Sequence, residues 1–207
     1  MLRRYVLNRV LGFEIASSAW IGFSILDVKN LIMSDDSRIG HLTYAKGLTD
    51  LLLESFARLG NLNWITGFPS NELRAFSADV DRNPALYIGK HSAVTHRHLI
   101  DCTNEVRIGT HTTVAGWRTQ ILTHGIDLTL SRQTSERVNI GSYCFVGTGA
   151  IILKGSRLPD RSVLSAGSVL LTQEIEECAL YSGVPAKKVR NLASDSAYFT
   201  RSEGFVP

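Results

Sequence analysis

The chain contains little cysteine, and what it has is not arranged for metal binding or cross-linking. Three cysteines occur among 207 residues, Cys102, Cys144 and Cys178, and they are far apart and form no CxxC pair. An odd number at such spacing argues against a zinc knuckle and against a disulfide framework. Free thiols are typical of a reducing compartment, so we expect a cytoplasmic protein.

The chain also lacks a strong charge of one sign and a long apolar run. Its 22 Lys and Arg residues against 19 Asp and Glu residues give a net charge of +3, and the two signs are interspersed. This is the pattern of a solvated surface, and it argues against a nucleic-acid-binding face. No apolar stretch is long enough to span a bilayer. Asn8 and Arg9 interrupt the apolar N-terminal stretch, which predicts no cleavable leader.

What the sequence has instead is an aliphatic residue at every sixth position. From position 140 onward the anchors follow without a slip: Ile140, Val146, Ile152, Leu158, Leu164 and Leu170. The fourth place after each of the first five anchors holds a small residue or a cysteine: Cys144, Ala150, Ser156, Ser162 and Ser168. Upstream the same template fits Ile15, Ile21, Met33, Ile39, Leu53, Leu59, Ile65, Ile88, Val94, Ile100, Ile108 and Val114.

A period of six does not match an amphipathic helix, which repeats near 3.6 residues, but it matches short strands separated by corners. Three hexads make one coil of roughly eighteen residues, and stacked coils make a solenoid. The sequence therefore predicts an all-β solenoid of about seven coils. Two slips of two residues, after Ile39 and after Ile100, predict insertions at corners.

The repeat divides the chain into a single domain with short extensions. We expect a β-helix domain over residues 15–190, an N-terminal cap over residues 1–14 and a C-terminal tail over residues 191–207. A short helix is expected in the cap, because an open solenoid end exposes strand edges. The repeat is interrupted at residues 67–86 and 124–138, and loops on a rigid scaffold commonly carry binding residues.

Three motifs occur together with the repeat. His124 begins the second interruption, the next coil runs from Ile140-Gly141 to Phe145-Val146-Gly147-Thr148-Gly149-Ala150, and the repeat closes with Gly183-Val184-Pro185-Ala186-Lys187-Lys188-Val189-Arg190. Over residues 15–190 the chain resembles the hexapeptide-repeat acyltransferases, and most closely the sugar and polysaccharide O-acetyltransferases among them. Phe145 stands where those enzymes usually have Trp. The resemblance implies a left-handed parallel β-helix with two extruded loops.

The resemblance also implies an activity: transfer of acetyl from acetyl-CoA to a hydroxyl of a sugar or nucleotide sugar, in surface polysaccharide biosynthesis. His124 would be the general base, since a neutral imidazole accepts a proton well near neutral pH. The backbone amide of Thr148 would stabilise the oxyanion. The coenzyme A positions implied are Gly147, Ser165, Ala166, Pro185, Lys187, Lys188 and Arg190. No metal is expected.

For the acceptor, the coil before the one that leads to His124 is the first place to look. Thr95 stands where the family often has Asn, and His96 and His98 follow it. His98 occupies a slot that usually holds a small inward residue, so a local distortion or a core histidine is the alternative there. Further acceptor-binding candidates in the two interruptions are Arg74, Asp79, Asp81 and Asp127. The resemblance implies a homotrimer, with coenzyme A and a sugar acceptor as the only other partners.

Two alternatives remain open. One is an amino-sugar or amino-acid acetyltransferase on the same scaffold. The other belongs to a different class, a zinc-dependent hydratase of the γ-carbonic-anhydrase type, in which three histidines bind the metal and leave the fourth position open. His96, His98 and His124 supply the number of ligands, although the spacing typical of that family is missing.

Overall fold

The structure is a computed structural model that describes residues 7–72, 74–77, 79, 81–171 and 173–206. It is built almost entirely of short strands. In chain order they are β1 (Glu14–Ile15), β2 (Trp20–Ile21), β3 (Ile25–Met33), β4 (Arg38–Ile39), β5 (Tyr44–Leu53), β6 (Arg58–Leu59), β7 (Trp64–Thr66), β8 (Ala85–Ile88), β9 (Ala93–Val94), β10 (Leu99–Asp101), β11 (Val106–Ile108), β12 (Thr113–Val114), β13 (Gln120–Ile121), β14 (His124–Asp127), β15 (Arg132–Ser135), β16 (Val138–Ile140), β17 (Phe145–Val146), β18 (Ile151–Ile152), β19 (Arg157–Leu158), β20 (Val163–Leu164), β21 (Val169–Leu170), β22 (Ala179–Gly183) and β23 (Ala186–Asn191). A short helix, Ala197–Thr200, follows β23, and residues 7–10 are also helical.

The strands wind into coils with three faces. Face 1 consists of β1, the second halves of β3 and β5, β8, β11, β16 and β19. Face 2 consists of β2, β4, β6, β9, β12, β17, β20 and β22. Face 3 consists of the first halves of β3 and β5, β7, β10, β13, β18 and β21. Pairing between successive coils is parallel, and seven full coils run from β1 to β21. The predicted parallel β-helix of about seven coils is confirmed.

The six-residue period produces this winding because each anchor points inward and stacks on the anchor of the next coil. On face 1, for example, Ile108 is paired with Ile140 and Ile140 with Leu158. All three are at most 2% exposed. The small residue at the fourth place lies inside the corner and bonds the next coil: Thr112 Oγ1 donates to the carbonyl of Gly141 at 2.6 Å. The hydroxyl thereby satisfies a carbonyl that the winding would otherwise leave unpaired.

The corners need backbone conformations that most residues avoid. At the corner between face 1 and face 2, one residue has a positive φ in each coil from the second to the seventh, and another in the turn after β21: Asp36, Phe56, His91, His111, Tyr143, Arg161 and Cys178. At the opposite end of face 2, Gly147 permits close stacking, because a Cβ there would lie 2.4 Å from the backbone nitrogen of Ala166. Glycine is required at such a position because it has no side chain to clash.

The slip after Ile39 has a structural cause. β5 runs for ten residues without a break, from face 3 around the corner onto face 1. Gly47 lies in the bend with φ +81°, and its Cβ would lie 2.0 Å from the carbonyl oxygen of Gly67. The predicted corner insertion is therefore a bent continuous strand.

The first and last described segments of the chain pack against the solenoid. Residues 1–6 of the predicted cap lie outside the described residues, while Leu7 packs on the core and Phe13 is buried. The tail turns back along the corner between faces 1 and 2, where the Tyr198 hydroxyl donates to the carbonyl of Cys144 at 3.0 Å and Arg201 donates to the carbonyl of His111. Across the described residues, no helix has the length and apolarity that a membrane crossing requires.

His98 fills one of the fourth-place slots inside the solenoid and is 2% exposed. Its Nδ1 accepts the backbone N–H of Thr119 at 3.1 Å, and its Nε2 lies 2.9 Å from Thr95 Oγ1. This pattern fits a neutral ring with the proton on Nε2. Burial, with a smaller contribution from His96, lowers the pKa of His98 to about 4.

We predict that His98 makes the fold acid-sensitive. Between the ordinary histidine pKa of about 6.5 and the folded value of about 4, the unfolded chain binds a proton at His98 and the folded chain does not. The free energy of unfolding should therefore fall as pH falls through this window, by about 3 kcal/mol in total. Denaturant unfolding at several pH values should show a shallower fall for His98→Gln. Equal slopes for the two proteins would contradict the prediction.

Candidate functional site

Both interruptions of the repeat leave the solenoid at the same corner, between face 3 and face 1. Residues 67–84 connect β7 to β8, and β14 and β15 lie between β13 and β16. β14 and β15 pair antiparallel, with His124 opposite Ser135, so the second interruption is a β-hairpin. Because the two excursions leave one corner only two coils apart, they meet beside the solenoid.

His124 is the first residue of this hairpin and is held by Asp101. Asp101 ends β10 in the coil below, and its Oδ2 lies 2.7 Å from His124 Nδ1. The same oxygen accepts the backbone N–H groups of Thr123 at 2.8 Å and His124 at 3.1 Å. Its Oδ1 accepts the Thr103 hydroxyl at 2.6 Å and the Thr103 N–H at 3.0 Å. A carboxylate that is 5% exposed is thus surrounded by donors.

His124 and Asp101 each favour the charged form of the other. Burial raises the pKa of Asp101, but the hydrogen bonds from His124 and Thr103 outweigh burial and hold that pKa below its ordinary value. The hydrogen bond to Asp101 raises the pKa of His124, and burial opposes it only partly. With Nδ1–H directed at the carboxylate, the free acceptor of a neutral His124 is Nε2. The side chain is 32% exposed, so this nitrogen is open to a ligand.

An aromatic wall lies next to the imidazole. The rings of Phe68 and Phe76, both from residues 67–84, approach His124 edge-on with centroid distances of 5.6 and 6.2 Å. Phe76 is buried, whereas Phe68 is 37% exposed. Arg82 holds this loop in shape: its guanidinium lies 4.5 Å from the Phe76 ring centroid and donates to the carbonyls of Phe68, Pro69, Glu72 and Thr103.

The loop and the hairpin are fastened to each other and to the next coil. Asp79 accepts the backbone N–H of Ser135, and Asn104 Nδ2 donates to the Ser135 hydroxyl at 3.1 Å. From the coil above, Lys154 Nζ donates to Thr134 Oγ1 at 2.6 Å and lies 3.3 Å from Glu136. His124 is therefore fixed from below, from above and from the side.

The acceptor residues predicted in the two interruptions have different surroundings. The Asp79 carboxylate is engaged by Ser135, as described above. Asp127 Oδ1 accepts the N–H groups of Thr129 and Leu130 at 2.9 and 3.1 Å, so it shapes the hairpin turn. Arg74 is exposed at the loop surface, and Asp81 lines a groove on face 1. Of the four, Asp79 lies nearest to the base in the hairpin register, because Ser135 is paired opposite His124.

The positions predicted for coenzyme A follow one edge of the solenoid, between face 2 and face 3. Thr148 and Ala166 are exposed there in successive coils, and the carbonyl of Thr148 accepts the N–H of Gly167 at 2.9 Å. Within the described residues the N–H groups of Thr148 and Ala166 make no hydrogen bond. A ligand lying along this edge would therefore find unused donors.

The other predicted cofactor residues extend that edge toward the C-terminal end. Gly147 is buried beneath Ala166, Ser165 is half-buried, and Pro185 is exposed. In β23, Lys187 and Arg190 are exposed, whereas Lys188 forms an ion pair with Glu176. Thr95 and His96 lie on the same edge in lower coils. The Thr95 hydroxyl bonds within the solenoid, and His96 Nδ1 accepts the N–H of Asn61 at 2.8 Å.

Within one chain His124 and Thr148 lie on opposite edges of face 3. Thr148 comes after β17 and before β18, so it enters face 3, whereas His124 comes after β13, where the chain leaves face 3. β13 and β18 are paired neighbours on that face. A base and an oxyanion donor from the same chain are therefore separated by the width of the face.

Asp101 is the site residue that sequence reasoning missed. Its signal is an acidic residue directly after the anchor Ile100, at a place where other anchors are followed by Gly, as in Ile108-Gly109 and Ile140-Gly141. Such a position lies at the end of a strand and not on the solvated outer face. Pairing Asp101 with His124 also needs the coil register, which the slip after Ile100 obscures.

The structure resembles solved acyltransferases. No protein-family model matches the chain. Polysialic acid O-acetyltransferase OatWY superposes with a TM-score of 0.67 over 92% of this chain and 90% of its own, at 15% identity. A variant of AntD, an N-acyltransferase from Bacillus cereus, in complex with dTDP-4-amino-4,6-dideoxyglucose and coenzyme A, gives 0.52 over 92% and 89%, at 11% identity.

A hexapeptide-repeat containing acetyltransferase from Vibrio cholerae is 25% identical over 52% of this chain, with a TM-score of 0.48. The match spans 63% of the length of that protein. The longer superpositions, on OatWY and AntD, show a shared fold. The resemblance to the hexapeptide-repeat acyltransferases that the sequence predicts is thus confirmed at the level of the fold.

Proposed function

We propose that the chain is an acyltransferase that moves acetyl from acetyl-CoA to a hydroxyl of a sugar, with His124 as the general base. The observation that carries this proposal is the His124–Asp101 pair, with Nδ1 bonded to a buried carboxylate and Nε2 open. A base fixed by a third group is the arrangement that activates hydroxyl nucleophiles. The shared fold with solved acyltransferases supports the reaction type.

In the proposed reaction, Nε2 of His124 removes the proton of the acceptor hydroxyl as its oxygen attacks the thioester carbonyl. The N–H of Thr148 donates to the oxyanion that forms. When the tetrahedral intermediate collapses, the carbon–sulfur bond breaks and the coenzyme A thiolate takes the proton from His124. Asp101 stays ionised and stabilises the imidazolium between the two steps, as its low pKa requires.

This chemistry needs more than one chain, because His124 and Thr148 lie on opposite edges of face 3. The outward residues of face 3 offer a contact surface: an apolar column in register formed by Ile25, Tyr44, Trp64, Leu99, Ile151 and Val169, interrupted only by Gln120. Ile25 and Trp64 are 65% and 55% exposed in the single chain. We infer a homotrimer in which the His124 edge of one chain meets the Thr148 edge of the next.

We propose positions for the two ligands in this trimer. The pantetheine arm of coenzyme A would run along the edge with Thr148 and Ala166, bonding their unused N–H groups, and Lys187 and Arg190 would meet its phosphates. The acceptor ring would rest on the exposed Phe68 beside His124. OatWY acts on polysialic acid, which supports a role in surface polysaccharide biosynthesis. We propose a cytoplasmic enzyme, because its three cysteines are free thiols.

An amine acceptor is the second candidate, because AntD shows that this fold also carries an N-acyltransferase. The hydratase alternative loses one of its ligands, since both ring nitrogens of His98 are hydrogen-bonded inside the solenoid. Across the residues that the structure describes, no group of three or more His, Cys, Asp or Glu side chains is placed to hold a metal ion.

We predict that His124→Ala lowers turnover by roughly 10²-fold or more, since it removes the general base, while the coenzyme A dissociation constant stays near wild type. Thiol release from acetyl-CoA with a panel of sugars, nucleotide sugars and amino sugars measures turnover and also separates hydroxyl from amine acceptors. His41→Ala, which replaces an exposed histidine in the second coil, serves as the control. Wild-type turnover in His124→Ala would refute the catalytic role.

We predict that Asp101→Asn moves the pH profile in a defined direction. The carboxylate raises the pKa of His124, so its removal lowers that pKa and extends the neutral form to more acidic pH. The rising limb of kcat/KM should shift to lower pH while the plateau falls. A profile that keeps its midpoint, with only the plateau reduced, would mean that Asp101 merely supports the fold.

The trimer is tested by complementation between two inactive variants. His124→Ala lacks the base, and Ala166→Trp fills the exposed edge where coenzyme A is expected. If sites form between chains, co-expressed hetero-oligomers contain some sites with both halves intact and regain activity that neither variant has alone. No recovery, or a monomeric mass in light scattering of the active protein, would show that one chain makes the whole site.

A further inference from the structure

Face 1 carries a groove that the proposed reaction does not use. Its volume is about 800 Å³. It is bounded on one side by Asp81 and Arg82 at the end of the first loop and on the other by Gly141 and Asp160 at the corner with face 2. Glu136 and Arg137, where the hairpin returns to the solenoid, lie above it.

The floor of the groove is a column of polar side chains on consecutive rungs. Arg107, Asn139 and Arg157 are paired neighbours in β11, β16 and β19, and all three point outward. Gln173 continues the column through an isolated bridge to Arg157. The rungs of a sheet are about 4.8 Å apart, so planar hydrogen-bonding groups repeat at a fixed short interval. A ligand that uses several rungs must itself be extended and repetitive.

The groove is lined by arginines and carboxylates in equal number, and only some of them are paired. Glu136 pairs with Lys154 and Arg107 with Glu105, while Asp79 and Asp160 accept backbone N–H groups and Asp81 is exposed. Arg137 and Arg157 are exposed and form no ion pair with any described residue. Guanidinium groups bind carboxylates with two parallel hydrogen bonds, and Asn and Gln amides bind hydroxyl and amide groups.

The groove lies one layer of side chains away from the base. Its wall on that side is Arg82, whose guanidinium stacks on Phe76, and Phe76 lies 6.2 Å from the His124 imidazole. A ligand in the groove would therefore not contact Nε2. It would be held at a remote subsite beside the loop that forms the aromatic wall.

We propose that this groove binds the body of a linear saccharide chain bearing carboxylates, one residue of which reaches His124. This inference rests on the proposed function and narrows its acceptor from sugars in general to an anionic polymer. The remote contacts hold the chain at the enzyme without touching the reacting hydroxyl, so they should lower KM for long acceptors. Short acceptors gain nothing from them.

The test measures binding directly, with linear oligomers of sialic acid as anionic probes and malto-oligosaccharides of equal length as neutral ones. Calorimetry should give tighter binding of wild type to longer sialic acid oligomers, weakened by salt. Arg157→Gln and Arg137→Gln should each raise the dissociation constant of the long oligomer about tenfold, as expected when one charge-assisted hydrogen-bonded contact is lost. Binding of the shortest oligomer and of coenzyme A should stay unchanged.

Arg38→Gln is the matched control, because Arg38 is also an exposed outward arginine that begins a two-residue strand, but on face 2. The proposal is overturned if wild type binds no oligomer, if neutral oligomers bind as tightly, or if Arg38→Gln has the same effect. A raised coenzyme A dissociation constant in Arg157→Gln would instead make the groove a donor site. If the oligomers bind with this pattern but thiol is not released from acetyl-CoA, the proposed acetyltransferase activity is refuted, while the proposal that the groove binds an anionic saccharide stands.

Discussion

The structure depends on one constraint, the vertical stacking of inward aliphatic side chains from coil to coil. Each coil is too thin to bury its own anchors, and only the coil above and the coil below complete the core. Face 1, face 2 and face 3 must therefore keep register over the whole length, as the pairing of Ile108, Ile140 and Leu158 shows. Extra residues can enter only at corners, where no anchor is displaced. Both interruptions accordingly leave at a corner, the one between face 3 and face 1.

The same rigidity allows a buried carboxylate beside the proposed base. An isolated charge in such a place would be costly, but the winding brings the N–H groups of Thr103, Thr123 and His124 to Asp101 without further ordering. Asp79 then joins the loop to the hairpin, and Asn104 and Lys154 fasten the hairpin to the neighbouring coils. The position of His124 is thus determined by three coils and two loops, although the residue itself begins a surface hairpin.

Much of this architecture could be predicted from the sequence, because a strict period reports burial directly. The anchors and the two interruptions follow from counting, whereas Thr148 and Ala166 are singled out only by the resemblance to the acyltransferases. The period does not report contacts between coils, which depend on how each slip is absorbed. The bend in strand β5 and the contact between Asp101 and His124 both depend on a slip, so neither could be predicted from the period. From the sequence, His98 could be an acceptor-binding residue or a core residue. The period does not decide between them, because the groups that bond its ring, Thr119 and Thr95, lie in different coils.

The two excursions start and end one rung apart on the solenoid. β7 and β8 belong to successive coils, as do β13 and β16, so each loop closes a gap that any length of chain can bridge. Loop closure costs only about 0.6 kcal/mol for each doubling of length. The stability of the solenoid therefore depends only weakly on the length of the chain inserted at this corner. The loop and the part of the hairpin beyond His124 can therefore differ in length and sequence, so that acceptor preference diverges while the base, the coils and the coenzyme A edge stay unchanged.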